Sequence, residues 1–170
     1  QACLALGLVP VPMHALDNPE SIAYIIKDCD ATMLVVSTLA QWQEIVAVSD
    51  TLPLLQLIMV ADDDKVPNHQ WPAHEQILVT GLSAWLAAGN ACDQSDCLAV
   101  TADALAAIVY TSGTTGKPKG VMLTHNNVLS NIRAMTGAVT VYKSDVFLSF
   151  LPLSHTFERT VGYYLPIAAG

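Results

Sequence analysis

The run Tyr110-Thr111-Ser112-Gly113-Thr114-Thr115-Gly116-Lys117-Pro118-Lys119-Gly120 most constrains what this chain can fold into, because it sets flexible backbone, hydroxyls and two lysines between two apolar segments. Ala106 to Tyr110 reads as a strand entering the run and Gly120 to Leu123 as a strand leaving it. Between them, glycines let main-chain N–H groups approach an anion, and turn-like residues form a concave nest of donors for phosphate oxygens. A hairpin with no ligand would explain the glycines, but not the hydroxyls and lysines together.

The Walker-type phosphate loop uses similar materials and fails on spacing. It needs a glycine five positions before its Gly-Lys pair and Ser or Thr after the lysine; Thr111 and Pro118 stand there instead.

Short apolar runs alternate with helical periodicity along the chain. Leu8–Pro12, Thr32–Val36, Leu54–Val60 and Asp145–Leu151 are expected as further strands. Asn18 is expected to cap a helix with Pro19 at its first position, and Thr38 with Gln41 has capping-box spacing. Leu82, Trp85 and Leu86 mark a short helix ended by Gly89-Asn90. Val128, Ile132, Met135 and Val139 share one helical face, and Phe157, Val161, Tyr164, Leu165 and Ala168 continue helically. Alternating strands and helices imply an α/β fold, a layered, mostly parallel sheet flanked by helices. Ligands of such sheets bind beyond the carboxyl ends of the strands, where Thr111 to Lys119 would lie.

Charged residues make up 13% of the 170 residues, about half the roughly 25% usual in globular domains, while 52% are hydrophobic. There is no apolar run of transmembrane length, so burial against further protein is the expected reason. The chain opens on Gln1 and closes on Gly170 within apolar sequence and reads as a piece of a larger protein. A formal charge of −8 argues against nucleic acid as a partner. Cys3, Cys29, Cys92 and Cys97 form no disulfide framework, and Cys92 with Cys97 lacks the second pair that zinc requires. A cytosolic location is expected. Asp62-Asp63-Asp64 reads as a solvated loop rather than a metal site.

Tyr-Thr-Ser-Gly-Thr-Thr-Gly-x-Pro-Lys-Gly resembles the phosphate-binding loop of the adenylate-forming enzymes: acyl-CoA synthetases, luciferases and peptide-synthetase adenylation domains. Val121–Asn127 resembles the strand and helix start that follow it. Leu151-Pro152-Leu153-Ser154-His155-Thr156-Phe157-Glu158-Arg159-Thr160 resembles the next motif, in the version associated with long-chain fatty acid–CoA ligases. Upstream, Gly7 to Ser37 resembles the segment before the loop. The resemblance implies part of the large N-terminal AMP-binding domain: a segment 1–60, a variable region 61–101 and a phosphate-loop segment 102–170, with the C-terminal domain absent.

The implied parent activity is ATP-dependent conversion of a long-chain fatty acid to its adenylate and then to acyl-CoA, with the isolated piece inactive. Its partners would be fatty acid, ATP, Mg²⁺, coenzyme A and the rest of its own chain, and the parent would sit in the cytosol or peripherally on the inner face of a membrane. An adenylation domain for amino or aryl acids, or a nucleotide-binding module without catalysis, are the alternatives. On the same resemblance Thr111, Ser112, Gly113, Thr114, Thr115, Gly116, Lys117 and Lys119 would hold the nucleotide, with Thr111 also a Mg²⁺ ligand. Lys119 would face pyrophosphate, and Lys117 holds the variable position. His155 would meet the acyl carboxylate at the α-phosphate; read from its surroundings alone it is a helix-start histidine satisfied by backbone. Glu158 and Arg159 read equally as an ion pair or as a wall of an acyl tunnel. His125 is expected at a helix start, and His14, His69 and His74 carry no motif.

Overall fold

In a computed structural model of the chain, residues 1–14, 16–49, 51–62, 66, 76–90, 99–112 and 117–170 are described. Two compact units emerge, Ala15–Asp96 and the pair of segments Gln1–His14 and Cys97–Gly170.

In the first unit, helix α2 (Pro19–Asp28) starts as its sequence requires: Asn18 Oδ1 accepts from the Ser21 N–H at 2.7 Å, with Pro19 at the first position, where no N–H is needed. It stops where Asp30 turns left-handed at φ 53° and the Ala31 N–H reaches back to the Ile26 carbonyl at 3.0 Å, a Schellman closure. Strand β1 (Met33–Val36) follows. Helix α3 (Leu39–Ala47) begins at Thr38, whose side chain accepts from the Gln41 N–H at 3.4 Å, while the Gln41 amide oxygen returns to the Ser37 N–H at 2.9 Å. Strands β2 (Leu57–Val60) and β3 (Leu78–Gly81) complete a parallel sheet in the order β1-β2-β3, with Leu34 opposite Ile58 and Ile58 opposite Val79. Helix α4 (Leu82–Asn90) begins directly at the end of β3.

Trp42, Ile58 and Val60 are fully buried, and Ile45 and Leu55 nearly so. Truncating such a side chain to alanine costs about 2–5 kcal/mol, so this cluster holds the sheet to its helices.

The second unit opens with a single turn, α1 (Ala2–Ala5). Strand β4 (Leu105–Thr111) pairs antiparallel with β5 (Lys119–Thr124), and one extra residue at Ala106 bulges β4 between the pairs Leu105–Thr124 and Ala107–Leu123. Helix α5 (His125–Ala138) starts without a linker, because Thr124 is both the last strand residue and the helix cap. Its hydroxyl accepts from the Asn127 N–H at 3.2 Å and its own N–H donates to Asn127 Oδ1 at 2.9 Å. A last helical stretch runs from α6 (Thr156–Glu158) through a π-helical turn, Arg159–Tyr164, into α7 (Leu165–Ala169).

A parallel sheet flanked by helices agrees with the expected class. Four local expectations need correction. Leu8–Pro12 forms no strand, although the Ile108 N–H donates to the Pro10 carbonyl at 3.3 Å. Asp145–Leu151 forms none either: Val146, Leu148 and Phe150 are 96%, 82% and 74% exposed, alternating as a strand would but with no neighbouring strand among the described residues. The strand expected from Leu54 starts only at Leu57, because Leu52 and Leu55 turn inward to be buried. Gly89 and Asn90 lie inside α4 rather than beyond it, and β3 was not expected at all. Asp63, Asp64, His69, His74, Cys92 and Cys97 lie outside the described residues.

Candidate active site

The β4–β5 register builds one side of the site. Thr111 and Lys119 are directly opposed, each at the loop end of its strand and each exposed. Opposed residues of an antiparallel pair point to the same face with Cβ atoms about 4.5–5.5 Å apart. A hydroxyl and an ammonium thus stand side by side at the mouth of the loop. Ser112 and Lys117 are exposed within it, and Gly113, Thr114, Thr115 and Gly116 lie outside the described residues.

The hairpin is braced where it meets α5. His125 is the first residue of that helix, as expected: its N–H donates to the Ala104 carbonyl at 3.1 Å and that of Asn126 to the Ala102 carbonyl at 2.7 Å. Two amides that a helix start leaves unpaired are thereby satisfied by the turn before β4.

His155 belongs to the same unit and caps α6. Its Nδ1 accepts from the Phe157 N–H at 3.2 Å, and its backbone N–H donates to the Pro152 carbonyl at 2.8 Å. The backbone-satisfied reading is therefore correct as far as Nδ1 goes. An imidazole whose Nδ1 accepts carries its proton on Nε2 when neutral, so the exposed ring offers an Nε2–H donor.

Arg159 resolves one of the open alternatives. Among the described residues it makes no ion pair with Glu158. Its Nε donates to the Leu153 carbonyl at 2.9 Å and Nη2 to the Ser154 carbonyl at 3.3 Å. Burial pushes the guanidinium below its usual range, with the Tyr164 phenol acting the other way. Burial likewise pushes the Tyr164 phenol up, partly offset by the Arg159 charge and reinforced by Tyr163. Glu158 is only 3% exposed, and its Oε1 has no hydrogen-bond partner among the described residues. The carboxylate lies over Gly162, where a Cβ would collide with Oε1.

Beside these groups lies a cavity of about 180 Å³, walled by Ala107, Leu123 and Ile132 and edged by His125, Arg159 and Tyr164. Neither the cavity nor the role of Arg159 had a signal in the sequence, since both depend on tertiary placement. Among the described residues there is no cluster of three His, Cys, Asp or Glu side chains that could hold a metal by itself.

A family model described as AMP-binding enzyme matches residues 1–170. The chain is similar to the peroxisomal long chain acyl-CoA synthetase 6 of Arabidopsis thaliana, 31% identical over 176 residues that cover 99% of this chain and 24% of that protein. It is also similar to the medium-chain fatty-acid–CoA ligase of Escherichia coli strain K12, 32% identical over 173 residues, covering 99% of this chain and 29% of the ligase. Among solved structures, ATP-bound MatB from Rhodopseudomonas palustris shares the fold with a TM-score of 0.68 at 23% identity, over 99% of this chain and 30% of that one. The chain spans about a quarter of the length of the curated relatives it matches.

Proposed function

The chain belongs to the AMP-binding enzymes, and on that premise we propose that its parent protein activates a long-chain fatty acid, first as the acyl-adenylate and then as acyl-CoA. In the first step a carboxylate oxygen bonds to the α-phosphorus of ATP, and the bond to the β-phosphate bridging oxygen breaks, its electron pair leaving with pyrophosphate. In the second, the thiol of coenzyme A attacks the acyl carbon and AMP departs. Nucleophile and phosphate are both anionic, so catalysis consists mainly of oriented donors and cations that neutralise developing charge.

The observation that carries this reading is the pairing of Thr111 with Lys119 across the loop mouth. Lys119 is assigned to the charge of the departing pyrophosphate. Mg²⁺ takes most of its oxygens from phosphates and water, so the single hydroxyl of Thr111 fits an ion that arrives with the nucleotide; bound there, the ion would withdraw charge from the phosphates. Ser112 and Lys117 are assigned to the phosphates as well. Gly113, Thr114, Thr115 and Gly116 enter by their chemistry alone. The Nε2–H of His155 is assigned to the substrate carboxylate, which it would orient towards phosphorus.

The acid and the thiol are inferred from the relatives, which are named as acyl-CoA synthetases and fatty-acid–CoA ligases. Among the described residues no helix is long and apolar enough to cross a membrane. A cytosolic parent meeting its substrate by peripheral attachment to the inner face of a membrane is part of the same proposal. So is cover for Val146, Leu148 and Phe150 by other segments of the parent.

The test is exchange of labelled pyrophosphate into ATP by the full-length protein across a panel of fatty acids, aryl acids and amino acids. Exchange that depends on long-chain fatty acids is expected, and exchange with amino acids alone would overturn the assignment.

A further inference from the structure

We propose that Arg159 is a positioning residue for His155, a role that rests on the function assigned to that histidine above. Three consecutive carbonyl oxygens accept from this one residue: Leu153 from Nε at 2.9 Å, Ser154 from Nη2 at 3.3 Å and His155 from the backbone N–H at 3.1 Å. The turn that carries the imidazole is therefore held from the helix behind it.

The choice of acceptors is what separates a staple from an ordinary surface arginine. Glu158 is the adjacent residue and is buried, with Oε1 unpartnered among the described residues, yet the guanidinium turns away from it to two neutral carbonyls. The guanidinium is half-buried, so bonds to those oxygens replace water it has lost. A rigid planar fork can reach two successive carbonyls at once, whereas a lysine ammonium on a flexible stem offers a single point of attachment. Arg159 also opens the π-helical turn Arg159–Tyr164, a local widening of the kind that accumulates at functional sites.

With the staple in place, the Pro152–Ser154 turn fixes the His155 backbone. The Phe157 N–H then fixes its ring through Nδ1, which sets the direction of the Nε2–H donor. Loss of the guanidinium frees the turn, whereas its hydrogen bonds involve neither Thr111 nor Lys119. Misplacement by about 1 Å in such a site can cost roughly a hundredfold in rate.

The experiment compares full-length wild type, Arg159→Lys, Arg159→Met, His155→Ala and the Arg159→Met/His155→Ala double variant. It reads fatty-acid-dependent pyrophosphate exchange and amide hydrogen exchange over residues 153–157. Arg159→Met is expected to lower kcat by roughly tenfold to a hundredfold with the KM for ATP nearly unchanged, to speed amide exchange at His155 and Phe157, and to cost less than about twofold further when His155 is already alanine. Arg159→Lys is expected to fall between wild type and Arg159→Met in both readouts. Unchanged amide exchange in Arg159→Met, or an equal loss of rate with and without His155, would overturn the proposal while leaving the proposed function standing. Faster amide exchange together with a fully active His155→Ala protein would uphold the staple and remove His155 from the proposed function instead. Arg159→Lys carries the same comparison if the methionine variant fails to fold.

Discussion

The ring of Tyr110 lies across the backbone of Gly120, its partner in the β4–β5 pairing: a Cβ on residue 120 would stand 3.0 Å from Tyr110 Cζ and 2.9 Å from Ile108 Cγ2. Glycine at this position is therefore a packing requirement of the hairpin beneath the loop. Gly120→Ala is expected to destabilise the protein by about 1–3 kcal/mol, the usual cost of forcing volume into filled space. Urea titration checks it, and an unchanged midpoint would show that ring and isoleucine move aside freely.

Lys119→Ala in the full-length protein should slow pyrophosphate exchange by roughly tenfold to a hundredfold, since one charge-assisted contact is worth about 1.5–3 kcal/mol. The KM for fatty acid should stay near its wild-type value. Lys119→Arg should retain most of the rate. Normal exchange in a folded Lys119→Ala protein would remove the loop from the nucleotide site.

Thr124→Ala removes the hydroxyl that accepts from the Asn127 N–H. A loss of about 1 kcal/mol is expected, with Thr124→Ser close to wild type. Thermal unfolding of the three proteins decides; a Thr124→Ser protein as weak as the alanine variant would mean that the cap contributes little.

Burial pushes the Cys29 thiol above its ordinary range, and the neighbouring Asp28 and Asp30 charges add to the shift against two backbone hydrogen bonds. The unfolded thiol ionises at about 8.5. Above that pH the unfolded chain holds fewer protons than the folded one, so stability falls as pH rises through the folded pKa. The half-buried Tyr164 phenol shifts the same way. Between pH 7 and pH 10, wild type should lose more stability than Cys29→Ala. Equal losses in denaturant titrations at the two pH values would refute a contribution from the thiol.

The helix starts at Asn18 and Thr38 were legible in the sequence, because a cap is a bargain between residues three apart. Strands were legible only where a partner exists. Val146, Leu148 and Phe150 carry the alternation of a strand and form none, whereas Leu78–Gly81, with Thr80 and Gly81 breaking its apolar run, is a strand because β2 lies beside it. The hydroxyls and cations of the loop could be read directly. That Thr111 faces Lys119 could not, since register belongs to the pairing. The contacts of Arg159 were not legible for a further reason: its acceptors are carbonyls, which every residue possesses.

The shared residue Thr124 has a mechanical consequence. With no linker between β5 and α5, the strand is a cantilever clamped at the helix, about 20 Å long from six residues at roughly 3.3 Å each. Its far end is Lys119, paired across to Thr111. A load at that end, such as the pull of a polyanion, is shared with β4 through the ladder and meets no joint before the first turn of α5, where His125 and Asn126 are tied to the chain ahead of β4.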